Sequence, residues 1–130
     1  MRNLGVIPLK MDITQEDSID EAVKIVINEE GRIDVLVNNA GYGSYGAIED
    51  VNMDEVRKQF DVNLFGLASL TRKVLPYMRD QKNGLVVNIS SMGGRVTTYF
   101  GAWYRDWETD RKSTRLNSSH ITRSRMPSSA

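Results

Sequence analysis

Apolar positions along the chain switch between the spacing of strands and the spacing of helices. The stretch GVIPLKMDIT (5–14) predicts a short strand, and Thr14, in the capping-box pattern TQED, predicts the start of a helix. The end of that helix is predicted at Gly31. Its apolar face recurs every three or four residues and consists of Ile19, Ala22, Val23 and Val26.

A second strand and a long helix follow. RIDVLVNNAG (32–41) predicts a strand whose three successive apolar residues, 35–37, indicate burial on both faces, as in a parallel sheet. After a glycine-rich loop, residues 52–84 predict one long helix or two joined helices, kinked or ended at Pro76. The apolar stripe of this helix comprises Val56, Phe60, Leu64, Leu67, Leu70 and Val74. Residues 84–91, GLVVNISS, predict a third buried strand.

The order strand–helix–strand–helix–strand predicts an α/β fold with a parallel sheet. Ligands of such sheets bind at the carboxyl ends of the strands. The polar residues predicted at those ends are Asp12, Asn38, Asn39, Ser90 and Ser91. We therefore expect these side chains to share one crevice.

Charge divides the chain into two parts. Residues 1–104 carry 11 basic and 14 acidic residues, a net charge of −3, which indicates no basic surface for nucleic acid. Residues 105–130 carry a net charge of +3, are rich in Ser, Arg and Thr, and contain few large aliphatic residues, so they predict a disordered tail. The length of 130 residues predicts a single domain.

Composition excludes several classes of site. The chain has no Cys and a single His, His120, which excludes disulfides and thiolate metal sites and leaves no pattern for a histidine metal site or a Ser–His dyad. We expect no metal. No signal-peptide pattern and no apolar run of membrane-spanning length is present, so a cytoplasmic protein without membrane association is expected.

Five ordered features carry a family resemblance: Asp12 after the first strand, NNAG (38–41), Asn63 closing FDVN, NISS followed by MGG (88–94), and Tyr104 thirteen residues after Ser91. Over residues 5–104 the chain resembles the short-chain dehydrogenases/reductases, which use NAD or NADP on a Rossmann-type fold. The resemblance implies an incomplete doubly wound sheet of about three strands and two to three helices. Residues 1–104 would form a partial NAD(P)-binding domain, and 105–130 a disordered or artefactual tail.

The resemblance also implies roles in hydride transfer between a nicotinamide and a small carbonyl or alcohol substrate. Tyr104 would protonate the developing alkoxide, Ser91 would donate a hydrogen bond to the substrate oxygen, and Asn63 would hold a water of a proton relay. Asp12 would accept a hydrogen bond from the adenine amino group, and three residues would line the cofactor: Asn38, Ala40 and Gly41. The full-length parent would be a homo-oligomer.

Each residue also has a simpler interpretation. Asp12 could be a turn or cap residue, Asn38 and Asn39 could be turn formers, and Ser90 and Ser91 could be loop residues. Asn63, beside the apolar stripe, could be a buried and satisfied amide, and Tyr104 could be a core aromatic. The joint order and spacing favour the functional interpretation.

Two departures from the family pattern predict that this chain is inactive. The T-G-x3-G-x-G phosphate loop, which would follow a first strand and precede residues that select NAD or NADP, is absent. The lysine expected one helical turn after Tyr104 would stand at position 108, which is Glu108. Lys112, two turns away, is too distant to replace it.

Three hypotheses follow. The first is an enzyme fragment, whose meaningful sequence stops at Tyr104 and whose tail resembles translated vector or adapter sequence. The second is a catalytically dead dinucleotide- or protein-binding module on the same fold, and the third is a nucleic-acid binder acting through the basic tail. A sheet lacking its neighbouring strands also has exposed edges, so we expect the isolated chain to be marginally stable or prone to aggregation.

Overall fold

The computed structural model describes residues 5–91 and the backbone of residues 122–125. In chain order, the elements are helix α1 (Glu16–Glu30), strand β1 (Val35–Asn38), helix α2 (Met53–Phe60), a π-helical segment (Asp61–Gly66), helix α3 (Leu67–Asp80), strand β2 (Leu85–Asn88) and strand β3 (Thr122–Arg125).

The sheet has the order β1-β2-β3. Strands β1 and β2 are parallel, in the register Val35 to Leu85 through Asn38 to Asn88, which confirms the predicted α/β fold with a parallel strand pair. Strand β3 is antiparallel to β2. These four residues form a strand although they lie within the tail predicted to be disordered. For the rest of residues 105–130, disorder remains a prediction.

The core lies between helices α1 and α3 and one face of the sheet. Met78 and Val74 of α3 are almost completely buried, as is Ile19 of α1. Val86 of β2 belongs to the same cluster, and Leu36 of β1 packs against it. The apolar spacing of both helices is therefore confirmed where it faces the sheet.

The opposite face of the sheet is open, contrary to the prediction that β1 is buried on both sides. Val35 and Val37 are 52% and 54% exposed. Alternate side chains of a strand point to opposite faces, so these two valines share a face with their register partners Leu85 and Val87. Within the described residues, the core cluster forms only on the face of Leu36 and Val86.

The stretch 5–14 was predicted as a strand and does not form one. Ile7 is 72% exposed and Val6 is 54% exposed. A strand is stabilised by a hydrogen-bonded neighbour, and among the described residues β1 pairs only with β2. The end of the stretch is still anchored, because Met11 and Ile13 pack against the core.

The first helix starts one residue later than predicted and without the predicted capping box. Gln15 is the N-cap residue and makes no side-chain capping bond. The Thr14 hydroxyl instead donates a hydrogen bond of 2.7 Å to Asp12 Oδ1. The predicted end is confirmed: Gly31 adopts a left-handed φ of 72°, and its N–H donates to the Ile27 carbonyl.

Polar contacts join α1 to α3 at the surface. The ammonium group of Lys73 lies 2.7 Å from Asp20 Oδ1 and 3.5 Å from Glu16 Oε2. The Ser69 hydroxyl donates a 2.7 Å hydrogen bond to Glu16 Oε1. That bond first, and Lys73 second, lower the pKa of Glu16 from its ordinary value. These contacts set how α1 lies along α3 more than they stabilise the fold, since exposed ion pairs contribute little.

The predicted long helix is continuous but changes its winding. Asn52 caps its start by accepting a hydrogen bond from the Asp54 N–H. The irregular turn is the π-helical segment, and Pro76 lies inside α3, which continues to Asp80. Of the two effects predicted for Pro76, an end of the regular helix is therefore wrong, and a kink stays a prediction. Proline removes one helical N–H, and the bond is lost on the exposed side of α3, where water can satisfy the Arg72 carbonyl.

Candidate functional site

The carboxyl ends of β1 and β2 are joined by a side-chain network centred on Asn38. Its Nδ2 group donates to Asn88 Oδ1 at 2.7 Å and to Thr71 Oγ1 of α3 at 3.0 Å. The Thr71 hydroxyl in turn donates to the Leu67 carbonyl at 2.8 Å. Because Asn38 and Asn88 are register partners, this network ties the last position of each strand to the helix behind them.

The other end of the Asn38 amide lacks a partner among the described residues. Asn38 is 4% exposed, and its Oδ1 atom is buried without a hydrogen bond. A buried amide oxygen without a donor costs about 1–3 kcal/mol. Asn38 was predicted to line the cofactor; the structure places its side chain in the interior, beneath the exposed residues Asn39, Ala40 and Gly41.

Asn63 fastens the loop after β1 to the π-helical segment. Its Oδ1 atom accepts a hydrogen bond from the Tyr42 N–H at 3.0 Å, and its Nδ2 group donates to the Tyr42 carbonyl at 2.7 Å. A side-chain carbon at Gly41 would lie 3.2 Å from Asn63 Oδ1, so glycine lets the loop lie close to the helix. Asn63 is thus a half-buried and satisfied amide.

The π-helical winding at Asn63 marks this turn of the helix as unusual. Such segments are rare and often occur at functional sites. The side-chain oxygen and nitrogen of Asn63 both bind the Tyr42 backbone. Neither bond involves the proton-relay water that the family resemblance implies. That role stays a prediction.

The sequence reasoning missed Gln59. Its Oε1 atom accepts a hydrogen bond from the Ser44 N–H at 2.7 Å, and the residue is 4% exposed. The available signal was a polar residue one helical turn before Asn63 and next to the apolar stripe. Gln59 and Asn63 together hold the loop that begins at Gly41.

Asp12 lies on the surface, in a turn fixed by its own carboxylate. Its Oδ1 atom accepts hydrogen bonds from the Thr14 N–H and the Thr14 hydroxyl, at 2.9 and 2.7 Å. The hydroxyl bond first, and the backbone bond second, lower the pKa of Asp12 from its ordinary value. The Asp12 N–H donates to Ser18 Oγ at 2.9 Å. The carboxylate is therefore ionised at neutral pH and open to an external donor.

Close packing brings the Asp12 turn to the same helix that holds the loop after β1. Ile13 follows Asp12 directly, and its carbonyl oxygen lies 2.5 Å from where a Cβ atom on Gly66 would stand. Gly66 ends the π-helical segment that contains Asn63. The helix from Gln59 to Thr71 is thus the common support for two of the predicted site segments.

The third segment follows β2. Ser90 and Ser91 follow the end of β2 after one intervening residue, Ile89, whose N–H donates to the Asn38 carbonyl at 2.9 Å. Since β1 and β2 are parallel, both polar segments leave the sheet at the same edge. Tyr104 and Glu108 lie outside the described residues, so their distance from Ser91 remains untested.

The described residues suit some parts of a dinucleotide better than others. The exposed Asp12 carboxylate can accept from an amino group, and the exposed backbone of 39–41 can approach a flat ring. The described helix starts that follow loops do not suit a pyrophosphate, because their first turns are acidic: Glu16 and Asp17 in α1, and Asp54 and Glu55 in α2.

The part of the chain that the structure describes has neither a metal-ligand cluster nor a membrane-spanning helix. Residues 5–91 contain no group of three or more His, Cys, Asp or Glu side chains arranged to hold a metal ion. None of the helices in the same range is both long and apolar enough to span a membrane.

Comparisons with known proteins agree with the geometry. The family model for short chain dehydrogenase matches residues 2–105. The chain is 42% identical over 103 residues to the 3-ketodihydrosphingosine reductase of Bacteroides thetaiotaomicron, covering 78% of this chain and 38% of the reductase.

Solved structures agree as well. A short-chain dehydrogenase from Streptomyces avermitilis matches with a TM-score of 0.68 and 43% identity, over 74% of this chain and 35% of that one. An NAD+-bound xylitol dehydrogenase matches with a TM-score of 0.69 and 30% identity, over 75% of this chain and 38% of that one. The chain spans well under half the length of these relatives. With a family model matched over residues 2–105 and a fold shared with solved members, the chain belongs to the short-chain dehydrogenase family of oxidoreductases.

Proposed function

We propose that residues 5–104 carry part of the cofactor and catalytic site of an NAD(P)-dependent oxidoreductase, and that this chain by itself is inactive. The observation that carries the proposal is the matched register of Asn38 and Asn88, which sets NNAG and NISS side by side at one sheet edge. Ligands of α/β folds bind at such edges.

In the cofactor part of the site, each candidate acts through its exposed atoms. The ionised Asp12 carboxylate accepts from the adenine amino group. Ala40 and Gly41 present exposed backbone to the cofactor. Asn38 supports that backbone from beneath, through its bonds to Asn88 and Thr71. The bound nicotinamide supplies or takes up the hydride.

In the catalytic part, Ser91 donates a hydrogen bond that orients the substrate oxygen, and Tyr104 transfers the proton. An unperturbed Tyr has a pKa of about 10, so it needs a nearby cation to act near neutral pH. Position 108, where that cation is expected, is occupied by Glu108, so this chain does not supply a cation there. Asn63, which holds the Tyr42 backbone, also holds a water of the proton relay, as the family resemblance implies.

The substrate class is a small carbonyl or alcohol. The full-length parent acts in the cytoplasm as a homo-oligomer. The choice between NAD and NADP depends on residues of a phosphate-binding segment that this chain lacks, so both cofactors are tested.

The first experiment is a nuclear magnetic resonance titration of this chain with NAD+ and with NADP+. We expect weak binding, with shifts at the amides of Asp12 and Gly41, and weaker binding by Asp12→Ala, which removes both acceptor oxygens of the side chain. Lys24, exposed on the outer side of α1, provides the matched control Lys24→Gln. A flat titration at millimolar cofactor would remove the cofactor assignments for this chain and with them the dead-module hypothesis.

The second experiment measures turnover in a hybrid. Residues 5–91 replace the matching segment of the Bacteroides reductase, which supplies its own remaining segments. We expect the hybrid to reduce that enzyme's substrate, and Ser91→Ala to lower kcat by at least 100-fold. A folded hybrid that binds cofactor and shows no turnover would contradict the catalytic role of this segment.

A further inference from the structure

The loop after β1 is attached to the helix behind it at two points. Asn63 holds the backbone of Tyr42 through two hydrogen bonds, and Gln59 holds the N–H of Ser44 through one. From Tyr42 to Ser44 the loop runs two residues forward, whereas their partners, Asn63 and Gln59, are four residues apart in the opposite direction. Two extended residues span about 7 Å and four helical residues about 6 Å, so the spacings match and the loop lies antiparallel along the helix.

Gln59 is buried at a position that an apolar residue could occupy. It is 4% exposed, with Val56 buried one turn before it and Phe60 half-buried next to it. Burying an amide is unfavourable unless it is hydrogen-bonded. The bond to Ser44 is short, and its removal leaves a loop N–H without its partner.

We infer that Gln59 is a positioning residue for the site: it fixes the segment from Gly41 to Ser44 as a preformed wall of the crevice at the end of β1. The inference rests on the proposed function, because the proposed cofactor is the ligand that this wall would contact. A wall that already has one conformation loses less entropy when a ligand binds. Tyr42 lies in this wall and Tyr45 directly follows it, and both side chains are exposed.

The chain offers a matched control for Gln59. Gln81 makes the same type of attachment at the opposite end of β1: its Oε1 atom accepts from the Ile33 N–H at 3.0 Å, and its Nε2 group donates to the Ile33 carbonyl at 3.0 Å. Both glutamines stabilise the fold by tying loop backbone to a helix. They differ in which end of the sheet they serve.

The test compares three variants of the 130-residue chain by amide hydrogen exchange. Gln59→Met keeps the shape of the side chain and removes the acceptor, Gln59→Glu keeps an acceptor, and Gln81→Met is the control. We expect Gln59→Met to speed exchange of the Ser44 amide about tenfold, Gln59→Glu to restore protection, and Gln81→Met to leave Ser44 unchanged. Unchanged Ser44 exchange in Gln59→Met would overturn the attachment.

A cofactor titration of the same proteins separates the attachment from the proposed function. We expect Gln59→Met to weaken NAD+ or NADP+ binding several-fold, with no such effect from Gln81→Met at equal loss of stability. Equal weakening by both variants would reduce Gln59 to a structural residue and overturn the positioning role. If the unsubstituted chain binds neither cofactor, the proposed function fails for this chain, and the Ser44 exchange still decides whether the wall is held.

Discussion

Replacing Gly66 by Ala has two opposing effects on stability: a better helix preference and a steric clash. Gly66 is buried at the end of the π-helical segment. A Cβ atom there would lie 2.5 Å from the Ile13 carbonyl oxygen, 2.9 Å from Ile13 Cγ1 and 3.0 Å from the Asp61 carbonyl oxygen. The first and third of these neighbours are backbone atoms, which cannot rotate away.

The magnitudes favour destabilisation. Alanine is about 1 kcal/mol better than glycine within a helix. Forcing an extra carbon into a packed site costs about 1–3 kcal/mol and sometimes more. Because the closest contact is with a carbonyl oxygen of the Asp12–Thr14 turn, the turn has to move away from the helix. A backbone oxygen at 2.5 Å therefore places the cost in the upper part of that range, about 2–3 kcal/mol. After subtracting the helix preference of about 1 kcal/mol, we expect Gly66→Ala to lower the free energy of unfolding by about 1–2 kcal/mol.

Urea unfolding followed by circular dichroism measures this change. With a slope of about 2 kcal/mol per molar urea, the midpoint would fall by about 0.5–1 M. Ala68→Gly, at an exposed position of α3, measures the helix preference alone and calibrates the opposing effect. A Gly66→Ala protein as stable as the original, or more stable, would refute the close packing of the Asp12 turn on this helix.

Other predictions concern the sheet and the turn. Val37→Lys should reduce concentration-dependent self-association, measured by light scattering. Val6→Lys should not reduce it, because Val6 has the same 54% exposure but lies away from the sheet. If the unsubstituted chain is a soluble monomer with a cooperative thermal transition, the expected aggregation is contradicted. Thr71→Val should lower the free energy of unfolding by about 0.5–1.5 kcal/mol, because it removes the acceptor of Asn38 Nδ2 and keeps the side-chain shape, and an unchanged urea midpoint would argue against the Asn38 network. Thr14→Val should raise the pKa of Asp12 towards its ordinary value in a carboxyl titration, because it removes the hydroxyl bond that lowers it most. The folded pKa is depressed, so this bond stabilises the fold above the ordinary carboxyl pKa, and that contribution is lost as the pH falls through the folded value.

The elements that the sequence predicted well are those whose information is local. The apolar face of α1 and its end at Gly31 depend on residues within a few turns of one another, and both are confirmed. The parallel pairing of β1 and β2 was also predictable, because a helix of the right length connects two apolar runs.

The wrong predictions concern partners distant in sequence. A run of apolar residues such as 35–37 indicates that a strand can be buried on both faces, but burial of the second face requires another layer of the protein to pack against it. Residues 5–14 likewise have strand composition without a neighbour to pair with among the described residues. The Thr14 hydroxyl was predicted to cap the helix, but it donates instead to the carboxylate of Asp12, two residues before it.

The candidate site divides in the same way. The polar strand ends were predictable from their order along the chain, and the structure brings Asn38, Asn88 and the segment of Ser91 to one edge. The inward direction of the Asn38 side chain and the role of Gln59 were not predictable, because both depend on which face of a packed element a polar group occupies.

The π-helical segment has a consequence for insertions and deletions. A bond spacing of five residues accommodates one residue more than a regular α-helical turn. Deleting a single residue between Asp61 and Gly66 would allow a regular α-helix to form there. Because the wider turn absorbs its extra residue with almost no added rotation, the helix on either side of the deletion would keep nearly the same angular phase, and Gln59 would still face Ser44. A deletion in the first turn of α3 would instead rotate Gln59 by about 100° relative to the rest of α3 and turn it away from the loop. The π-helical segment is thus a place where the helix can lose a residue while its sheet-packing half and its loop-holding half stay aligned.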